Sequence, residues 1–81
     1  MYRNIVMTEY NTTDIVLAAA LKLKGFNMLR IDVEGSKGTF VFEDVDKNVL
    51  QDFDLGKITV EPVAFNNTIR QLTTSVRRLL S

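Results

Sequence analysis

The chain reads as an α+β domain, with a small antiparallel sheet of a hairpin and edge strands covered by helices, the last of them long. Three observations predict this. Hydrophobic residues recur at helical spacing before position 25 and after position 62, they alternate at strand spacing between 29 and 43, and glycines stand at the points where one period gives way to the other. All 81 residues form one domain in this reading, because no repeat, low-complexity stretch or linker composition interrupts them.

Residues 1–10 hold Ile5 and Val6 among polar neighbours and are expected to form an edge strand or an ordered arm. Asn11, Thr12, Thr13 and Asp14 then offer capping oxygens to a helix over 15–24. Alanines fill its interior, Lys22 and Lys24 lie in its last turn and Gly25 stands just beyond it. Leu29, Ile31 and Val33 alternate with Arg30, Asp32 and Glu34, which is the pattern of a strand with one buried face. Residues 34–38 read as the turn. Residues 39–43 read as the return strand, with Phe40 and Phe42 on one side.

Asp44 or Asp46 is placed to cap a short helix in which Val49, Leu50 and Phe53 share a face and Gly56 lies just past the end. Residues 57–60 are expected to be extended, as a third or edge strand. Pro62 suits the first turn of a helix, where its missing N–H would have had no partner. That helix runs to the C-terminus and carries Phe65, Ile69, Leu72, Val76 and Leu79 at spacings of four, three, four and three, a seam that packs against another helix.

Composition narrows the functions. No His and no Cys occur, which removes nucleophilic hydrolysis assisted by histidine, disulfides and the usual zinc ligands. An 81-residue chain without those supports is expected to gain stability by self-association, and the 65–79 seam is the expected surface. The longest apolar run is seven residues, Ile15 to Leu21, against about 20 for a membrane span, so no membrane segment is expected and the cytoplasm is the expected location.

The acidic cluster of Glu43, Asp44 and Asp46 reads as solvated helix-cap chemistry rather than a catalytic pair. The stretch 44–48 opens like a calcium loop but has Val49 where the glycine belongs and Leu55 where the closing glutamate belongs. Gly35-Ser36-Lys37-Gly38 lacks the order of a phosphate loop. No cofactor, metal or small-molecule substrate is indicated, and an enzyme is not expected.

Charge is balanced overall, with ten basic and ten acidic residues, but unevenly spread. Residues 41–63 hold two basic and six acidic groups, whereas residues 64–81 hold three basic and none acidic. Arg70, Arg77 and Arg78 therefore make the last helix the candidate contact for nucleic-acid phosphates or an acidic partner. The alternative is that they complement the helix dipole and pair with Asp52 or Asp54. The acidic stretch could itself mimic a phosphate backbone, although a neutral chain is a poor phosphate mimic.

Thr12-Thr13-Asp14, Leu17-Ala18-Ala19, Gly25-Phe26, Phe40-Val41-Phe42-Glu43-Asp44, Asp52-Phe53 and the late Pro62, Phe65 and Ile69 together resemble a small family of uncharacterised domains found in phage genomes and phage-like elements. The resemblance covers about residues 10–80 and carries no assigned activity or site. It implies a small, non-enzymatic accessory protein of phage type. The expectation is a homodimer that binds another macromolecule, with a nucleic-acid-binding regulator as the alternative.

Overall fold

The computed structural model describes residues 8–81, in the order β1 (Glu9–Thr12), α1 (Ile15–Leu23), β2 (Met28–Glu34), β3 (Lys37–Glu43), α2 (Lys47–Asp54) and α3 (Pro62–Leu80). The three strands form one antiparallel sheet in the order β1-β3-β2, so the expected α+β class holds, with β3 central. Of the expected N-terminal strand or arm, residues 1–7 lie outside the described residues. The edge strand β1 sits later than expected, at 9–12, and pairs with β3 from Glu9↔Glu43 to Thr12↔Phe40.

Local chemistry sets the helix starts. Asp14 accepts from the backbone N–H groups of Val16 (2.9 Å) and Leu17 (3.3 Å), which opens α1. Gly25, at φ 94, turns the chain away after its end. Of the two aspartates that could cap α2, Asp46 does so, accepting from Asn48 N–H at 2.8 Å. Asp44 instead sits at φ 50 and takes both the backbone N–H and the hydroxyl of Thr8, at 3.0 and 2.8 Å, tying the end of β3 to the start of β1. Pro62 is at the first position of α3, whose open N–H groups at Val63 and Ala64 are received by the Glu61 carboxylate.

The hairpin is tighter than its sequence suggests. Glu34 pairs with Lys37, leaving a two-residue turn of Gly35 and Ser36 with φ 64 at Gly35, so Lys37 and Gly38 belong to β3 and not to the turn. A bulge between Met28 and Arg30 shifts the register. It lets Met28 pair with Phe42 on the helix-covered face while Arg30 pairs with Val41 on the opposite face.

Residues 57–60 form no strand. The segment connects α2 to α3 and passes the end of α1, with Thr59 and Val60 beside Leu23 and Lys24, rather than a sheet edge.

The core joins Leu17, Ala18, Ala19 and Leu21 of α1 to Phe40 and Phe42 of β3 and Leu72 of α3. Leu21 and Phe42 are fully buried, each contributing about 1.5–3 kcal/mol of transfer free energy relative to exposure. The two alanines keep α1 thin where it meets its neighbours, and α1 packs chiefly on α3. On the other face of the sheet, Arg30 reaches from β2 to Glu9 on β1 with two bonds of 3.1 Å, and so crosses β3 at the level of buried Val41. Its Nε also meets Asp32 at 3.0 Å.

Candidate functional site

The seam expected to join two chains is mostly spent inside one. Leu72 is buried, and Phe65, Ile69 and Val76 pack as partly buried residues against the same core. The partner helix for this spacing is α1, within the chain. Leu79 alone of the five stands exposed, at 54 %, next to Leu80 at 42 %.

The three arginines of α3 divide between two grooves. Arg70 and Arg78 lie eight residues apart, about 80° around the helix from each other, and both still face one groove. With Lys22, from the last turn of α1, they line a groove of about 440 Å³ floored by Met28 and Leu72. Gln71, Thr74 and Ser75 add amide and hydroxyl groups to its wall. No carboxylate lines this groove, and among the described residues no ion pair engages Lys22, Arg70 or Arg78.

Arg77 is turned about 100° from Arg78 around the helix. It lines a second groove of about 360 Å³ together with Lys37, at the hairpin end of the sheet. The sequence pattern of three basic residues on one helix is thus two and one. Lys22, assigned in sequence only to the dipole of the first helix, is the third member of the larger cluster.

The carboxylates are engaged elsewhere and do not converge. Glu43 receives the Asn27 side-chain amide at 2.8 Å, Asp44 receives Thr8, and Asp46 caps α2. Among the described residues no group of three or more metal-ligating side chains forms. Asp52 and Asp54 form no ion pair with the arginines of α3, while Arg77 and Arg78 lie in its last turn, where they complement the helix dipole.

The displaced pKa values belong to fold-holding groups. The bidentate Arg30 bond holds the Glu9 carboxyl below its ordinary value, and the same bond, with Asp32, raises the Arg30 guanidinium. Thr8, through its backbone N–H and then its hydroxyl, lowers Asp44. The basic groove offers the ammonium donor of Lys22 and the guanidinium donors of Arg70 and Arg78. Its chemistry is that of binding an anion. No helix of the described residues is long and apolar enough to cross a membrane.

Among known proteins, the family model described as a domain of unknown function, DUF5659, matches residues 7–77. No curated protein and no solved structure is significantly similar to the chain.

Proposed function

The chain belongs to the DUF5659 family, a domain of unknown function, and from that premise we propose that it is a small non-enzymatic binding protein whose partner is nucleic acid, held by its phosphates along α3. The carrying observation is the meeting of Lys22, Arg70 and Arg78 on one groove that no carboxylate neutralises. Arginine forks and a lysine ammonium give charge-assisted bonds to phosphate oxygens, and the neighbouring Thr74, Ser75 and Gln71 supply the neutral donors that backbone contacts also use. The phage-type accessory role implied by the family resemblance, and a cytoplasmic setting, belong to the same proposal.

The test is fluorescence anisotropy of a labelled duplex of about 20 base pairs against the full chain at salt from about 50 to about 300 mM. Each phosphate contact contributes about 0.9 to the slope of log K against log salt, so Arg70→Gln with Arg78→Gln is expected to lower the slope by about two units. Unchanged affinity of that double variant at about 50 mM salt would sink the reading.

A second reading keeps the homodimer but moves it. Leu79 and Leu80 leave an exposed apolar end on α3, and a copy joined there would bring two basic grooves into one particle. Light scattering after size exclusion is expected to give a dimer that Leu79→Ser with Leu80→Ser converts to a monomer. A monomer for the unaltered chain would remove this reading and leave the groove untouched.

A further inference from the structure

We propose that the second groove, between the hairpin end of the sheet and α3, is a small-molecule site for an amphipathic carboxylate, a short hydrocarbon body with one anionic head. Its volume of about 360 Å³ lies within the range of ligand pockets, about 300–1,000 Å³. Ile15, Phe40 and Val76 make its apolar wall. Each belongs to a different element, α1, β3 and α3, so the wall is a junction of the fold and not one exposed helix face. Phe40 is a buried core member at the base of this opening, and Val76 is partly buried and packs against the same core, which fixes the wall's shape.

The cationic end is equally defined. Lys37 on β3 and Arg77 on α3 both line the groove, with the Thr73 hydroxyl one turn before Arg77, and no carboxylate is present in the lining. Among the described residues neither cation takes part in an ion pair. An apolar wall beside two unneutralised cations matches a ligand that is apolar at one end and anionic at the other. It does not match inorganic phosphate, which has nothing to place against Ile15 and Phe40. A neutral alcohol would gain no ionic bond from Lys37 or Arg77, both exposed, and is expected to bind more weakly than a carboxylate.

This site shares no lining residue with the groove of Lys22, Arg70 and Arg78, so the two stand or fall separately. The experiment is an amide NMR titration of the full chain with hexanoate, 1-hexanol and inorganic phosphate. Hexanoate is expected to saturate below about 10 mM, an affinity in the range of a few kcal/mol, with shifts centred on Gly38, Thr73 and Arg77.

Arg77→Gln, an exposed substitution whose folding circular dichroism verifies, is expected to weaken hexanoate about tenfold, the usual size of one charge-assisted bond. Lys22→Gln with Arg70→Gln is expected to leave it unchanged. The proposal is overturned if hexanoate gives no saturable shift, if hexanol binds as tightly, if phosphate alone reproduces the shifts, or if Arg77→Gln has no effect.

Discussion

A β-carbon placed on Gly38 would lie 3.0 Å from Cγ2 and 3.1 Å from Cγ1 of Val76, so α3 crosses the hairpin at the one strand position that has no side chain. The approach brings the third turn of the seam onto the sheet backbone and seats Val76 beside Phe40. Gly38 is at neither a turn nor a positive φ, and the demand on it is entirely one of space.

Gly38→Ala is therefore expected to destabilise the fold by about 1–3 kcal/mol, the range for an added methyl in a packed contact. Adding Val76→Ala to it should cost less than the sum of the two single changes, because the second removes the clash made by the first. Urea denaturation of the four-member cycle reads this directly. Strict additivity would mean the two residues do not touch in solution.

The seam should be energetically unequal along its length. Leu72→Ala empties a fully enclosed position and is expected to cost about 2–5 kcal/mol. Leu79→Ala removes a half-exposed side chain and should change stability by less than about 0.5 kcal/mol in dilute solution, acting on oligomeric state alone. Equal costs at the two positions would place the seam in an interface between chains.

Stability should be lost on the acid side through two carboxyls. Glu9 and Asp44 both have folded pKa values below their unfolded ones, so their contribution is complete above the unfolded value and disappears as pH falls through the folded value. The urea midpoint is expected to be level between about pH 5 and 8, where no histidine titrates, and to fall below about pH 4. Asp44→Asn keeps an acceptor for Thr8 and tolerates the left-handed backbone, and it should make the acid limb shallower. A limb of unchanged steepness would show that the Thr8 bonds do not form.

The two basic grooves should separate in nucleic-acid binding. Lys22→Gln is expected to reduce the salt slope by about one unit, whereas Arg77→Gln should leave the slope nearly unchanged although it neighbours Arg78. Anisotropy titrations of the two variants side by side decide this. The opposite order would move the phosphate contact to the hairpin side of α3.

By itself the sequence determined most of what depends on neighbours along the chain, the exact length of the hairpin turn excepted. Asp14 caps α1 because a cap needs only the next two or three amide groups, and Pro62 suits the first position of α3 because it has no N–H to leave open. Gly25 and Gly56 stop helices by adopting positive φ, whereas the choice of Asp46 over Asp44 for α2 fell to the contact of Asp44 with Thr8. Alternation in 29–43 revealed a strand pair, and the spacing of Phe65, Ile69, Leu72 and Val76 revealed a helix face.

The tertiary structure decided what each of these faces meets. Periodicity is the same whether a seam packs on a second chain or on α1, and only the arrangement of the core turns four of its five residues inward. Segment 57–60 stays out of the sheet and runs beside the end of α1, where Thr59 and Val60 lie near Leu23 and Lys24, a placement no local propensity carries. Lys22 joins Arg70 and Arg78 from far away in sequence by the packing of α1 on α3, while Arg77, only about 20° around the helix from Arg70, lines another groove because the hairpin residues Lys37 and Gly38 lie on its side of α3. Charge and its density can be read from the residues in order, but which charges share one volume of solvent is fixed only when the helices are placed on the sheet.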